Sequence, residues 1–325
     1  MVRFPLQSSP LVAGSRLLSV AASQPDLAVS GQELGEPFGK SGEWIQARTG
    51  IRELRRLKAA PELLDLACDA AISALGRAAL DAAQVDLLIV ATCSADRHVR
   101  SSFGSRVAQA LGLRAADVEL NAACSGFCYA LSAADTMIRA GSVRRVLIVA
   151  AECMSDLIDE ADLGTSIIFG DGAGAAVVAA AEAGQVGVGP TVWGSDGDGA
   201  DLIALDDGGF LRMRGPEVFR WAVDTAPGLA ERACAAAGVA LADIDVFVPH
   251  QANLRIIDAV ARKLGLGEHV VVATDIVGSG NTSAASIPIA LSQILEEGRT
   301  QPGALALLVG FGAGLAYAAQ VVQLP

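Results

Sequence analysis

Four short segments carry side chains suited to acyl chemistry. The first is Asn121-Ala-Ala-Cys-Ser-Gly-Phe-Cys. Val118–Ala122 reads as a short strand and Ser125 onward as a helix, which puts Cys124 at the turn between them. Small neighbours permit a tight turn and a close approach by substrate. Free N–H groups and the helix dipole at such a place favour a thiolate and can hold an oxyanion. The reading is a nucleophile at Cys124; its rival is a small buried Cys. Cys128, one turn further in, has no local His or further Cys with which to hold a metal.

The second segment is Val248-Pro-His-Gln-Ala-Asn-Leu-Arg. It sets His250 at the C-terminal end of an apolar strand, where open α/β sheets bind ligands. The third, Gly278-Ser-Gly-Asn-Thr-Ser-Ala-Ala-Ser, reads as a loop opening a helix over Ile287–Leu295. Asn281 would be a side-chain donor there, and ordinary loop and N-cap chemistry is the alternative. The fourth, Gly310-Phe-Gly-Ala-Gly-Leu, lacks the spacing of phosphate and dinucleotide loops. It reads as a tight turn able to offer N–H groups to an oxyanion. Cys, His and Asn therefore all lie at expected strand tips.

The elements that must position them are legible as a pattern. Apolar runs without alternation (Val85–Thr92, Val146–Ala151, Ala173–Ala179, Ile244–Pro249, Val270–Ala273, Ala304–Val309) suit strands buried on both faces. Between them lie Ala-rich helical stretches at Pro61–Ala79, Ser102–Leu111, Ser125–Ala140, Val218–Ala237 and Leu254–Lys263. The alternation predicts an α/β fold. Residues 71–95 resemble 229–253, and 166–181 resemble 307–322. These pairs read as two copies of one α/β unit, residues 1–182 and 183–325.

Composition sets the limits. With 52% apolar and 18% charged residues in 325, the chain has ample core and is not disordered. A net charge of -12 argues against non-specific nucleic-acid or anionic-membrane partners. Six Cys without a CxxC, and an N-terminus without an apolar signal region, predict a reduced cytoplasmic protein. The apolar stretch Gly303–Ala319 reads as two buried strands around a Gly turn instead of a membrane span.

Taken in order, NAACSGF, FGDGAGAA (169–176), VPHQANLRII (248–257), GNTSAASIP (280–288) and GFGAGL (310–315) resemble β-ketoacyl-acyl-carrier-protein synthase III. EWIQARTGI (43–51) fits as well, and the likeness runs from about Leu11 to Leu324. It is nearest to the actinobacterial and polyketide-priming types. The resemblance implies the thiolase fold: duplicated βαβαβαββ halves in a five-layer αβαβα sandwich, usually a homodimer. It implies Cys124, His250 and Asn281 as the catalytic set, with an oxyanion hole from the backbone N–H groups of Cys124 and Ala313. The acyl primer passes to Cys124; malonyl on acyl carrier protein then loses CO₂, and its carbanion attacks the acyl-Cys. No metal or redox cofactor is implied, and acyl-coenzyme A or acyl carrier protein acts as substrate.

The same resemblance assigns substrate contacts to Trp44, Arg48, Phe169, Gly215, Phe219 and Asn253. It matches Arg255, on the helix after His250, to a carrier-docking Arg; Arg262 and Lys263 recur seven and eight residues on, on nearly the same face, and extend the docking reading. Two departures stand out. Leu163 replaces a family Arg that packs on the coenzyme A adenine, which removes a cation–π contact. Arg97–Ser102 lacks the usual Pro before its Ser. Both point to an unusual primer, delivered on a carrier protein instead of coenzyme A. A degradative thiolase needs a second Cys in the C-terminal Gly turn, and Phe311–Gly314 has none. The alternative kept open is an acyltransferase or chain-coupling ketosynthase of specialised metabolism moving the acyl group from Cys124 to another nucleophile.

Overall fold

The computed structural model describes residues 11–58, 62–95, 102–182 and 184–325. The departure within Arg97–Ser102 therefore lies almost wholly outside the described residues.

Strand β1 (Ser15–Ser23) opens the first half. An excursion follows: β2 (Ala28–Ser30), α1 (Gly31–Gly35), α2 (Gly42–Thr49) and β3 (Glu53–Arg55). Ser30 and Glu33 close a capping box on α1, and Ser41 caps α2 by accepting from Trp44 N. The half continues with α3 (Glu62–Arg77), β4 (Leu87–Ala91), α4 (Phe103–Ala110) and β5 (Ala116–Leu120). It closes with α5 (Gly126–Arg139), β6 (Arg145–Glu152), α6 (Leu163–Ser166) and β7 (Gly172–Ala180). The second half holds β8 (Val192–Ser195), the hairpin β9 (Ile203–Leu205) and β10 (Leu211–Met213), α7 (Gly215–Ala237) and β11 (Val246–Pro249). It ends with α8 (Leu254–Leu264), β12 (Val271–Val272), α9 (Ile276–Ser279), α10 (Ser286–Glu296), β13 (Leu305–Phe311) and β14 (Ala316–Gln323).

The two main sheets run β5-β4-β6-β7-β1 and β12-β11-β13-β14-β8. Their pairings match strand for strand: β4 is parallel to β5 and β6, as β11 is to β12 and β13. In each sheet the last strand of the half is antiparallel to both of its neighbours. Leaving the short excursions aside, each half reads βαβαβαββ, the expected thiolase fold. Asp86 and Asp245, at matching places in the repeats 71–95 and 229–253, do one job twice. Asp86 Oδ2 accepts from Arg145 N, and Asp245 Oδ2 accepts from Leu305 N, both at 2.8 Å. Each ties the start of one buried strand to its parallel neighbour.

Strand alternation explains the layers, since successive side chains point to opposite faces. Leu87, Ile89 and Ala91 of β4, with Val246 and Val248 of β11, pack into one central core that also holds α5 and α10. Leu88 and Val90 point the other way, against Leu63, Ala67, Ala70 and Ala74 of α3. Phe247 and Leu307 likewise point outward, against Leu229 and Ala233 of α7 and Val260 of α8. Both sheets are thus covered on both faces, as their unalternating apolar runs require. No helix among the described residues is long and apolar enough to cross a membrane.

Candidate active site

β5 ends two residues earlier than the expected Val118–Ala122 strand, because Asn121 turns the chain. Its Oδ1 accepts from Ala123 N at 3.0 Å, and Ala123 is held in the left-handed region at φ 45°. A non-Gly residue there is strained, of order 1 kcal/mol or more, and such strain persists where the surroundings enforce it. The enforced bend lifts Cys124 onto a single 3₁₀ turn, Ala123–Ser125, which runs directly into α5.

The second half repeats the device. Asn281 Oδ1 accepts from Ser283 N at 2.9 Å, and Ser283 sits at φ 48° before the 3₁₀ turn Ser283–Ala285 and then α10. Here the element of use is the Asn itself. With its oxygen engaged by a backbone N–H, its NH₂ is the group left to donate. Gly280 precedes it at φ 73°, and any Cβ there would run into Leu54 and stand 2.9 Å from Ile168 O.

His250 follows β11, is 2% exposed, and has its ring edge-on to Phe311 at 5.3 Å. Its Nδ1 lies 2.8 Å from Ser286 Oγ. That oxygen also accepts from Gln251 N at 3.3 Å. With Nδ1 engaged by Ser286, Nε2 is the ring nitrogen left for a substrate. Burial pulls the His250 pKa down to about 3, and the ring is neutral. Gln251 turns away: its amide bonds Pro249 O and Ala273 O and serves the fold.

All three side chains line one cavity of about 810 Å³, within the usual range for a ligand site. The Gly310–Leu315 turn closes its floor. Gly312 packs on the nucleophile so closely that a Cβ would stand 2.8 Å from Cys124 N. Cys124 and Ala313 both line the cavity near the start of a 3₁₀ turn, where first-turn N–H groups lack an acceptor inside the turn.

One expectation is corrected. The helix terminus does not leave a thiolate at rest: burial pushes the Cys124 thiol up to about 12. The Ser283 hydroxyl and the residue's own N–H pull it back only in part, and the Glu152 carboxylate opposes them. Desolvation of a full charge outweighs a half-charge dipole.

Trp44, Arg48, Phe169, Gly215, Phe219 and Asn253 all line the same cavity. Asn253 caps α8 by accepting from Arg255 N and reaches Arg48 O at 3.5 Å. Leu163 also lines the cavity and packs on the apolar cluster of Leu34 and Ile45. The ammonium of Lys40 sits 5.1 Å from the Trp44 ring centre. Of the three expected docking residues only Arg255 reaches the cavity, over the Phe219 ring at 5.7 Å. Lys263 is committed to Asp224 at 2.8 Å, and Arg262 does not line the cavity. Nearby, Arg55 pairs with Glu53, and Arg56 donates to Ser166 O.

Two models of one family match the chain. 3-oxoacyl-(acyl-carrier-protein) synthase III covers residues 118–197, and its C-terminal region covers 234–324. A β-ketoacyl-(acyl-carrier-protein) synthase III of Mycobacteroides abscessus is 44% identical, over 95% of this chain and 94% of its own. The chain belongs to the 3-oxoacyl-(acyl-carrier-protein) synthase III family. Another synthase III, of Streptomyces coelicolor, is 44% identical over 96% of this chain and 99% of its own. Among solved structures, the priming β-ketosynthase of the R1128 polyketide pathway superposes with a TM-score of 0.94 at 40% identity, covering 99% of each chain. The synthase III of Pseudomonas aeruginosa PAO1 does so at 0.89 and 35%, over 96% and 98%.

Sequence reasoning about this synthase III family member missed several residues of the site. Ser286 was legible only as loop chemistry, since nothing in GNTSAAS shows that its last Ser meets a His far away in sequence. Glu152 left a sign: a carboxylate ending the apolar run of β6 must find donors. It is fully buried and accepts from Ser94 Oγ at 2.5 Å, Cys93 N at 3.0 Å and Ala284 N at 3.3 Å. The hairpin β9–β10 supplies Ile203, Leu205, Leu211 and Met213 to the cavity wall, from a segment with no clear pattern.

Proposed function

We propose that the protein loads an acyl primer onto Cys124 and condenses it with a malonyl thioester, as an acyltransferase of fatty-acid or polyketide synthesis. The observation that carries this reading is the convergence of Cys124, a neutral His250 and Asn281 on one cavity, with His250 Nδ1 already bonded to Ser286 and Asn281 Oδ1 to Ser283 N.

Each group has a step. Cys124 sulfur attacks the thioester carbonyl, whose oxyanion takes the N–H groups of Cys124 and Ala313. The thiol proton ends on the departing thiol, and the high resting pKa adds to the cost of reaching the attacking thiolate. Malonyl thioester then binds and loses CO₂. The enolate oxygen accepts from His250 Nε2–H and Asn281 Nδ2–H, two donors held by Ser286 and Ser283 before substrate arrives. The carbanion attacks the acyl-Cys carbonyl, and the thiolate that leaves is reprotonated.

This chemistry needs no resident cofactor, and acyl carrier protein is the partner that delivers malonyl. With Lys40 against one face of Trp44 and Leu163 at the cavity wall, a carrier-borne primer fits better than a stacked adenine. The halves are taken as residues 1–182 and 183–325, in keeping with the matching strand orders. A homodimer is proposed through β5, an edge strand whose Val118 is 41% exposed. The site of action is taken to be the cytoplasm. Intact-protein mass spectrometry after exposure to a panel of acyl-coenzyme A and acyl-carrier donors tests the reading. A gain of acyl mass at Cys124 is expected; none with any donor overturns it.

A further inference from the structure

Cys93 and Glu152 take no part in these steps, yet Cys93 lines the cavity beside the nucleophile and is hydrogen-bonded to Glu152. β4 and β5 are adjacent parallel strands, paired at Ala91 and Leu120, and Thr92 N still donates to Leu120 O at 3.2 Å. Just beyond their tips come Cys93 and Cys124, and both residues line the one cavity. The Ser283 hydroxyl lies 3.4 Å from Cys93 Sγ, and Ser283 lines the same cavity as both cysteines. Cys93 Sγ in turn donates to Glu152 Oε1 at 3.3 Å. The other four cysteines, Cys68, Cys128, Cys153 and Cys234, are free thiols that do not line this cavity.

We propose that Cys93 is a resolving thiol, which captures a peroxide-oxidised Cys124 as a reversible disulfide. A small peroxide enters the cavity as substrate does. Cys124 sulfur attacks one peroxide oxygen and the O–O bond breaks. The sulfur loses two electrons and becomes a sulfenic acid, and the thiol proton leaves with the departing hydroxide as water. Cys93 sulfur then attacks the sulfenyl sulfur. Its proton passes to Glu152, to which it is already hydrogen-bonded, and on to the second departing hydroxide. One S–S bond has formed, and the peroxide has become two waters. Glu152 stays in place, held by Ser94 and Ala284. The disulfide silences the nucleophile but spares it further oxidation, which a thiol cannot reverse.

The test uses the reduced full-length protein, hydrogen peroxide in small excess, and non-reducing mass spectrometry with peptide mapping. The wild-type chain should lose about 2 Da, the two hydrogens of one disulfide. A linked peptide should join Cys93 to Cys124. Self-acylation should fall at least tenfold from its untreated level and return with dithiothreitol. Cys93→Ser, and Cys93→Thr as a second variant, are each compared with their own untreated samples. Both should gain about 32 Da at Cys124, as a sulfinic acid, and stay inactive after dithiothreitol. A wild-type chain that gains oxygen without a linked peptide overturns the proposal, as does equal recovery in the two variants. The linked peptide is read without any acyl donor, so this result stands apart from whether Cys124 takes a primer.

Discussion

At the scale of single residues, burial decides between two thiols on one helix turn. Cys124 lines the cavity, whereas Cys128 lies beneath it, fully buried against Gly310. Cys124→Ala should abolish self-acylation by a small thioester, while Cys128→Ala leaves it within about threefold; acylation of Cys124→Ala at any other Cys would contradict this. For His250 and Asn281 the loss should fall on the second half-reaction. His250→Ala and Asn281→Ala should still acylate but decarboxylate malonyl thioester 10²-fold or more slowly, the scale of one lost oxyanion donor. Ser286→Ala should cost less, about tenfold, by freeing the wrong tautomer. Because His250 stays neutral down to about pH 3, wild-type decarboxylation should show no inflection where an ordinary His titrates. Cys124 and His250 were legible because their motifs end strands; Asn281 instead follows α9, not the expected strand tip, and stood out by its motif alone. Ser283 and Ser286 were not, because their value lies in contacts made across the fold.

Helices and strands were legible in proportion to how buried they are. β4, β6, β7, β11 and β13 announce themselves as apolar runs because both faces of their sheets are covered. β1 and the α1–α2 excursion carry mixed residues and left no such pattern. α8 shows the limit of reading a face from spacing. Arg255, Arg262 and Lys263 recur at helical spacing, but only the partner α7 shows that Lys263 is already paired with Asp224. The docking charge on α8 should therefore sit on Arg255 and Arg262. Reversing both to Glu should raise the KM for malonyl carrier protein about tenfold and flatten its salt dependence, since such exposed contacts are screened. Acylation from a small thioester should change little. Kinetics with carrier protein that keep the wild-type salt slope would remove α8 from the docking surface.

For the whole molecule, the buried thiols set an alkaline limit. Ordinary thiols titrate near 9, while Cys124 and Cys128 are pushed up to about 12. Between those values the unfolded chain has shed protons that the native chain keeps, so stability falls as pH rises through that window. Each thiol contributes up to about 1.4 kcal/mol per pH unit. Urea unfolding from about pH 8 to about pH 10 should show this decline, with a shallower slope in Cys128→Ala. Val118→Arg on the exposed edge of β5 should turn a dimer into a monomer in light scattering; an unchanged mass would place the interface elsewhere.

The paired Asn turns at residues 121–123 and 281–283 have a consequence for how such a catalyst can arise. One turn was used to raise a sulfur, the other to offer an amide. Two identical copies would carry the same residue after each Asn turn, whereas here Cys124 follows one and Ala284 the other. Joining the copies in one chain removes that restriction, because each can then mutate without its twin. Covalent tethering lets a symmetric scaffold hold an asymmetric reaction.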